Sequence, residues 1–466
     1  EGRVDSINAR IRFSMRSALM ESTMRQFVCR AAIPILSFIL LLTMRGYAQQ
    51  AGATPQMIKV TDHVYCATGY ALGNVIYIIT EKSVVVVDTT ESTTAAQRTL
   101  DDFRKISQLP ISYIIYTHFH GDHTSGAKVF KGPDTKIIAQ ENHLEEMAKY
   151  VMLLAYNRRV NATQFGASLK SSERGIGLAA NPNDEGQSAA SGYLPPDITF
   201  DDRYTLTEGG TEVQLYHTLG ETYDHLMVWL SGERVLMPGD LFYPSFPMLA
   251  SPMKPDRPVA EWANSLDRIR QLHPDFLVGS HGRPLVGKDQ IDTTLANYAA
   301  AIRYVHDETV KGINSGLTVE EIRNRVHLPD NLAHLPYLQP FYGRVEWSID
   351  GIVKEYTGWY DFDPAHLNPG PKDHLYKALI EATGGADPVL KRALKAVDAG
   401  NNQLALELTE IVISAGVNDA TLRQAHIIAY RALDKLADAA VNTVERNIYR
   451  GAAQAHRDAA GAKQAN

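Results

Sequence analysis

The sequence comprises 466 residues, which is more than one hydrophobic core usually organises, so at least two domains are expected. Hydrophobic residues make up 44% of the chain and charged residues 21%, a balance that is typical of a folded protein and excludes a disordered one. The net charge of −7 includes no basic block, which argues against nucleic acid as a partner.

Residues 1–48 resemble an upstream segment followed by an export signal. Two arginines precede an apolar stretch from Ala31 to Met44, and small residues follow it up to Ala48, where we expect cleavage. Pro34 interrupts the stretch, which is shorter than the roughly 20 residues of a spanning helix, so no stable membrane insertion is expected. The predicted location is periplasmic or secreted. Cys66 is then the one cysteine left, which rules out an internal disulfide.

From Val60 to about Val286, predicted strands alternate with helices. Short β-branched or apolar runs predict strands within residues 74–80, 83–90, 111–118, 135–140, 211–220, 225–240 and 276–282. Apolar residues at helical spacing predict helices at 93–106 and at about 142–168. Residues 171–197 are rich in Gly, Ser, Asn and Pro, which predicts a long loop of the kind that often covers a site.

After Asn297 the sequence predicts helices only, first at 298–313 and 319–326 and then from Asp387 onward. Asp387 is predicted as a helix N-cap and Gly400 as the end of that helix, with further helices at 402–416 and from Asp419. The repeat of roughly 32 residues is typical of a tetratricopeptide-like helix pair. This region is interpreted as a packing or dimerisation unit.

The segment "THFHGDHTSGA", residues 117–127, concentrates His118, His120, Asp122 and His123 directly after a predicted strand. Imidazole and carboxylate groups are the preferred ligands of zinc and similar divalent ions. A catalytic zinc ion binds three protein ligands and keeps one position open. Four ligands from one turn, with others to be expected elsewhere in the chain, are therefore too many for a single zinc ion. The spacing therefore predicts two adjacent metal ions.

A strand followed by "THFHGDH" resembles the metallo-β-lactamase superfamily, whose fold is an αββα sandwich with a dinuclear site at one edge. The resemblance implies further ligands at three later strand ends. Glu221 in "TLGETYDH" would replace the usual third histidine, Asp240 in "MPGDLF" would bridge the metals, and His281 in "GSHGRP" would complete the second site. Asp88, which ends "VVVVD", would orient the histidine loop from behind.

The glutamate at position 221 makes the chain similar to the alkyl sulfatases of this superfamily, together with the segments "GDLFYPSFP", "SHGRPLVG", "YVHDETVKGINSGLT" and "FYGRVEWSIDGIVKEYTGWYDFDP". This implies an α+β protein with an αββα catalytic domain at 55–297, an all-α, tetratricopeptide-like dimerisation domain at 298–450 and a tail at 451–466. It also implies two Zn²⁺ ions per subunit and a homodimer formed through the helices. The implied activity is that of a metal-dependent hydrolase, which cleaves the sulfate esters of alkyl chains, an anionic small-molecule substrate, with a metal-activated water.

One departure from that family concerns the sulfate group. Where those enzymes place an Asn and an Arg that grip sulfate, "MLASPM" places Met248 and Met253. Candidates for substrate binding instead are Lys254, Arg257, Arg283 and Tyr243. Candidates to line an apolar groove for the alkyl tail are Tyr156, Phe165, Phe242, Tyr243, Phe246 and Met248.

A second departure concerns the proton donor. The histidine that the primary alkyl sulfatases are thought to use as acid falls at Trp347 in an ungapped comparison. His225 or Glu346 could replace it, and Asp122 and His225 are the predicted catalytic residues. Cleavage of the C–O bond would need no acid, because sulfate leaves as a weak base.

Two alternatives follow from the same residues. The metal pair could hydrolyse another bond, in a β-lactam, a lactone or a phosphoester, since one fold and one metal set serve many reactions. A binding or scaffold protein that has lost activity is the other alternative, although the full set of ligands argues against it.

Overall fold

The computed structural model describes residues 54–170, 173–174 and 192–461. The export signal and most of the predicted loop at 171–197 lie outside the described residues. Within the described part of the chain, none of the helices combines the length and the apolar character that crossing a bilayer requires.

The strands are short, and most lie within the runs predicted from sequence. They are β1 Gln56–Lys59, β2 Val64–Thr68, β3 Val75–Ile79, β4 Val84–Val87, β5 Ile111–Ile115, β6 Lys136–Gln140, β7 Ile198–Phe200, β8 Arg203–Glu208, β9 Thr211–His217, β10 Leu226–Leu230, β11 Val235–Met237, β12 Phe276–Leu277 and β13 Leu285–Val286.

The helices continue to the end of the described chain. They are α1 Thr93–Phe103, α2 Gly121–Thr124, α3 Ala127–Phe130, α4 His143–Met152, α5 Leu154–Gln164, α6 Val259–Arg270, α7 Lys288–Asn314, α8 Val319–Arg325, α9 Asp330–Ala333, α10 Val345–Tyr356, α11 Pro364–Leu367, α12 Lys372–Ala382, α13 Ala386–Asp398, α14 Asn402–Ser414, α15 Asp419–Ala439 and α16 Thr443–Ala459. The helix predicted at 142–168 is divided into α4 and α5 at Leu153.

Two sheets pack face to face. One has the strand order β1-β2-β3-β4-β5-β6-β7 and the other β13-β12-β11-β10-β9-β8. Val85 and Val87 of β4 point into the core between the sheets, whereas Val84 and Val86 point to the outer face that α1 and α3 cover. Burial on both faces explains the uninterrupted valine run. The predicted sandwich followed by a helical region is confirmed.

The topology brings distant loops to one edge of the sandwich. β4 and β5 run parallel in the first sheet, and β11 and β12 run parallel in the second. Asp88 follows β4, the histidine loop follows β5, Asp240 follows β11 and His281 follows β12. Because the carboxyl ends of parallel neighbours share one edge, these loops meet.

The helical region differs from the prediction in its details. α7 runs through residue 297 and α16 runs through residue 450, so neither predicted domain boundary is a break in secondary structure. Gly385, with φ 115°, precedes α13, so the prediction of Asp387 as N-cap was wrong and Asp387 lies in the first turn. Gly400, with φ 80°, follows the end of that helix as predicted.

Candidate metal centre

Asp88 holds the histidine loop from beneath. Its carboxylate accepts hydrogen bonds from the Thr117 backbone N–H and from the Thr117 hydroxyl, both at 2.9 Å. The other contacts of the carboxylate are His123 Nδ1 at 2.8 Å and the Ser280 hydroxyl at 2.6 Å. Asp88 is fully buried and has φ 57°, a left-handed conformation that Asp tolerates better than most residues. His123 therefore turns its Nε2 away from Asp88.

His281 is oriented in the same way by a backbone group. Its Nδ1 lies 2.9 Å from the carbonyl oxygen of Leu72, so Nδ1 carries a proton and Nε2 points into the cluster. His281 Nε2 lies 3.2 Å from Asp240 Oδ2 and 3.5 Å from Asp122 Oδ2.

Three predicted histidine ligands surround Asp240 Oδ2. This atom lies 3.6 Å from His123 Nε2 and 4.0 Å from His118 Nε2, besides its contact with His281. Two overlapping sets of ligand atoms have the spacing of a metal site, and they share His123. The sets are His118, His123 and Asp240, and Asp122, His123 and His281. Asp240 lies close to both sets, so its carboxylate could bind a metal ion in either one.

The other two predicted ligands extend the cluster on one side. His120 Nδ1 lies 3.0 Å from His118 Nε2 and 3.6 Å from Glu221 Oε1. Glu221 Oε1 also forms an ion pair with Arg257 Nη2 at 2.6 Å, and both residues are buried. The structure thus brings all seven predicted ligands into one cluster.

Several buried polar atoms of this cluster lack a hydrogen-bond partner. They are His123 Nε2, Asp240 Oδ1, Glu221 Oε2 and Arg257 Nη1. A buried lone pair without a partner costs free energy, and a divalent cation would satisfy the imidazole and the two carboxylates at once. The donor set of imidazoles and carboxylates therefore fits metal ions of the zinc type.

Without a metal, the cluster is electrostatically crowded. Burial and neighbouring histidines lower the pKa of His118 well below its usual range. Burial, together with the nearby carboxylates Asp240 and Asp122, raises the pKa of Glu221 to about 7, although Arg257 opposes the shift. Although burial opposes the shift, Asp240 and Asp122 raise the pKa of His281 to about 9. Divalent ions would relieve the repulsion among the three carboxylates of the cluster.

His225 does not have the geometry of the predicted proton donor. Its Nε2 accepts a hydrogen bond from the Asp240 backbone N–H at 3.0 Å, and its Nδ1 lies 2.8 Å from the Thr218 hydroxyl. Burial lowers the pKa of His225 to about 3, so the ring is neutral and both nitrogens are engaged. We therefore correct its role to that of a residue that positions Asp240. Gly239 allows this contact, because a Cβ there would lie 2.6 Å from His225 Nε2.

Two other predicted residues lie away from the reacting groups. Arg283 is exposed and donates to Gln56 on the edge strand β1 at 2.6 Å, so it does not join the anion site as predicted. Glu346 pairs with Arg344 at 3.1 Å, and this ion pair lowers the pKa of Glu346 despite its partial burial. A carboxylate held ionised by an arginine is a poor acid.

The predicted apolar groove is mostly core. Phe242, Tyr243, Phe246 and Met248 are buried in the cluster that packs β10 and β11 against α6 and α7. The Tyr243 hydroxyl accepts a hydrogen bond from the Met248 backbone N–H at 2.8 Å, and its ring centre lies 6.2 Å from that of His281. Tyr156, in α5, and Phe165, next to it, do lie near Lys254: Tyr156 lines the same cavity as Lys254, and the Phe165 ring lies close to its ammonium group.

Lys254 and Arg257 do lie beside the cluster. Burial and Arg257 lower the pKa of Lys254, while Asp122 and Glu221 raise it, which shows that all three charges lie nearby. Lys254 Nζ is 5.5 Å from the centre of the Phe165 ring. Lys254 also lines a cavity of about 560 Å³, which reaches Tyr156, Met253 and Trp347.

Sequence reasoning missed the loop between β2 and β3. Leu72 accepts the proton of His281 Nδ1, Gly73 packs against the backbone of Asp122, and Asn74 binds the carbonyl oxygens of Gly279 and Gly282 at 3.0 and 2.8 Å. The one signal was the glycine-rich turn "GYALGN" between two strands.

Comparisons with known proteins identify the family of both regions of the chain. Residues 69–281 match the metallo-beta-lactamase superfamily, and residues 318–459 match alkyl sulfatase dimerisation. The chain is 34% identical over 384 residues to a linear primary-alkylsulfatase of a Pseudomonas species, covering 79% of this chain and 71% of that protein. It is 28% identical over 419 residues to the alkyl/aryl-sulfatase BDS1 of Saccharomyces cerevisiae, covering 86% of this chain and 64% of that protein.

The fold also matches a solved structure. The stereoselective inverting sec-alkylsulfatase Pisa1 from Pseudomonas sp. superposes with a TM-score of 0.80 and 25% identity, covering 87% of this chain and 67% of that chain. The chain therefore belongs to the alkylsulfatase family, whose members are hydrolases of sulfuric esters with a metallo-β-lactamase fold.

Proposed function

We propose that this chain hydrolyses the sulfate ester of an alcohol at a site with two zinc ions. His118, His120 and Glu221 would hold one ion, Asp122, His123 and His281 the other, and Asp240 would bridge them. When bound, two such ions would lower the pKa of a shared water toward neutrality and polarise the ester oxygen.

The observation that carries the choice of an anionic ester is the pair of cations beside the cluster. Arg257 is 5% exposed, its Nη2 pairs with Glu221, and its Nη1 has no partner. Lys254 lies close by and forms no hydrogen bond or ion pair with the described residues. A sulfate oxygen would satisfy Arg257 Nη1, and Lys254 would balance the remaining charge. These two cations would take the place of the Asn and Arg that bind sulfate in related enzymes and that the "MLASPM" segment lacks.

The first test is substrate choice. The full-length chain, purified with zinc and analysed for bound metal, is assayed on sulfate esters, phosphate esters, lactones and β-lactams. We expect turnover of sulfate esters and its loss in His118→Ala, together with loss of metal. Hydrolysis of another bond with no sulfate ester cleaved would refute the proposal, and so would full metal content without any turnover.

The second test is the cation pair. Arg257→Met should lower kcat/KM for a sulfate ester by about a hundredfold, because a buried charged donor to the substrate is removed. Arg283→Met is the matched control, since this exposed arginine contacts Gln56 instead, and its activity should stay at the native level. Equal activity of the two variants, with equal metal content, would remove Arg257 from the substrate site.

A further proposal concerns assembly and location. The helices from Val319 to Ala459 would form a homodimer interface, in keeping with the matched dimerisation family, and the chain would act after export. Light scattering on the purified protein and fractionation of the producing cells would test these two points separately.

A further inference from the structure

A buried histidine–aspartate pair lies behind the loop that carries Glu221. His143 begins helix α4, and its Nδ1 lies 2.9 Å from Asp224 Oδ2. Neither side chain is more than 1% exposed, and the proposed mechanism uses neither of them. Since an ionised carboxylate only accepts hydrogen bonds, the imidazole donates through Nδ1. A buried carboxylate that depends on a partner from another element restricts where both elements can lie.

The pair connects the two sheets of the sandwich. His143 follows β6 of the first sheet, whereas Asp224 lies in the loop between β9 and β10 of the second sheet. The neighbouring Asn142 makes another connection, because its side-chain amide donates to the Tyr223 carbonyl oxygen at 3.1 Å. His217 Nε2 lies 2.9 Å from the same oxygen. Side-chain hydrogen bonds therefore hold residues 223 and 224, which belong to no helix or strand.

The Asp224 carboxylate also binds the residue next to the predicted ligand. The Thr222 hydroxyl donates to Asp224 Oδ1 at 2.7 Å, and Thr222 directly follows Glu221. The two oxygens of Asp224 thus have different partners, one on α4 and one beside Glu221. On the other side, the Glu221 carboxylate pairs with Arg257. Arg257 therefore holds the side chain of Glu221, and Asp224 holds the backbone next to it.

Glu221 needs such support because like charges lie near its carboxylate. Asp122 and Asp240 are close enough to disfavour the ionised form of Glu221. A loop that could move freely would relieve this repulsion by turning Glu221 toward solvent. Groups that fix the position of a metal ligand before the metal arrives contribute to metal affinity.

We propose that the Asp224–His143 pair is a positioning element for Glu221 and that it sustains the affinity of one of the two zinc ions. The inference rests on the proposed dinuclear site and adds residues that support one half of it. Neither residue would touch the metal, the substrate or the reacting water. His143 holds Asp224, Asp224 holds Thr222, and the backbone at Thr222 sets the direction of Glu221. The ion held by Glu221 should therefore depend on the pair, whereas the ion held by His281 should not.

Zinc competition with a chromophoric chelator tests the pair on the full-length chain, with bound metal counted in parallel. Asp224→Ala should lower the affinity for one of the two zinc ions by about 10- to 100-fold and leave the other near its native value. Thr222→Val keeps the shape of the side chain and the Asp224–His143 contact, and it should weaken the same ion by a smaller factor. Thr222→Ser keeps the hydroxyl and should bind both ions as the native chain does.

Two further variants show whether the effect acts through Glu221. Glu221→Gln should weaken one ion, and adding Asp224→Ala to it should cause little further loss, because the supported ligand is already impaired. Tyr77→Phe is the matched control, since it removes a buried contact of 2.8 Å between the Tyr77 and Thr99 hydroxyls on the outer face of the first sheet. It should lower Tm and leave both zinc affinities unchanged.

Different outcomes refute different claims. Native affinity for both ions in Asp224→Ala, an equal loss of both ions, or a loss that adds fully to that of Glu221→Gln would overturn the inference and leave the proposed function intact. A native chain that binds fewer than two zinc ions would refute the dinuclear site and the inference together. Should Asp224→Ala fail to fold, Thr222→Val and Thr222→Ser decide, and equal zinc binding by these two variants would overturn the inference.

Discussion

At the scale of single residues, the site depends on groups that hold the ligands as much as on the ligands themselves. Asp88 fixes the Nδ1 proton of His123, and the carbonyl of Leu72 does the same for His281. Each hydrogen bond leaves Nε2 free and directed toward the cluster. Such partners determine the tautomer and the orientation of a metal-binding imidazole. His225 extends the principle, because it positions a ligand through that ligand's backbone.

Asp88→Asn tests this positioning role. In the native chain the Asp88 carboxylate accepts hydrogen bonds from Thr117, Ser280 and His123. The NH₂ group of an asparagine cannot accept a hydrogen bond, so His123 should lose its orientation. We expect zinc affinity to fall by about 10- to 100-fold. Zinc competition with a chromophoric chelator measures this directly. The exposed Asp101→Asn, whose amide oxygen can still accept the hydrogen bond from Gln97, should bind zinc like the native chain. Native affinity in Asp88→Asn would contradict the role.

At the scale of elements, the predicted ligands follow the ends of strands, and one connecting loop contacts two of the loops that carry them. The β2–β3 loop contacts both the histidine loop and the loop that carries His281, through Gly73 and Asn74. It therefore joins ligand loops from the two different sheets. The close approach requires a glycine, because a Cβ on Gly73 would overlap the carbonyl oxygen of Asp122.

Gly73→Ala should therefore disturb both the fold and the metal centre. We expect the free energy of unfolding to fall by about 1–3 kcal/mol, the usual cost of overpacking, with a loss of zinc affinity. Gly232→Ala is the control, since a Cβ there meets no atom within 4 Å and should change neither quantity appreciably. Denaturant unfolding and zinc titration report the two effects. Equal stability of the two variants would show that the loop adjusts freely.

At the scale of the whole molecule, the C-terminal helices pack against the element that borders the cavity beside the metal cluster. Asn447 of α16 donates to the carbonyl oxygen of Gln164, the last residue of α5, at 2.9 Å. Gln164 Nε2 in turn donates to the Tyr342 hydroxyl at 3.1 Å. Because α5 also carries Tyr156, the helical region supports one wall of the cavity. The two regions predicted as separate domains are thus joined next to the site.

We expect the pair His426 and His456 to make the stability of the helical region depend on pH. Their Nδ1 atoms lie 2.8 Å apart between α15 and α16, and burial lowers the pKa of both below 6.5. Arg457 lies over Tyr430 and pairs with Asp434 nearby. As the pH falls, the two histidines therefore bind protons at a higher pH in the unfolded chain than in the folded chain. Stability contributed by the neutral pair is complete above pH 6.5 and is lost as the pH falls toward the folded-state pKa values.

Thermal unfolding at a series of pH values measures this effect. The native chain should lose more Tm between pH 7 and pH 5 than the double variant His426→Asn/His456→Asn, in which the pair cannot titrate. The comparison cancels the other groups that titrate in this range. Parallel curves for the two proteins would show that the pair does not contribute.

The sequence by itself indicated eight of the thirteen strands of the described chain and the four ligand candidates of the histidine loop, and its resemblance to a known family implied the fold class and the three later ligands. The strand periodicity and the H-x-H-x-D-H spacing are local features, since they are read within a few residues. Only the tertiary structure decided which side chains meet. It directed Arg257 to the cluster and Arg283 to Gln56, buried Tyr243 in the core, turned His225 behind Asp240, and brought Tyr156 to Met253. The physical reason is that the direction of a side chain depends on the packing of elements far apart in the chain, which no local pattern records.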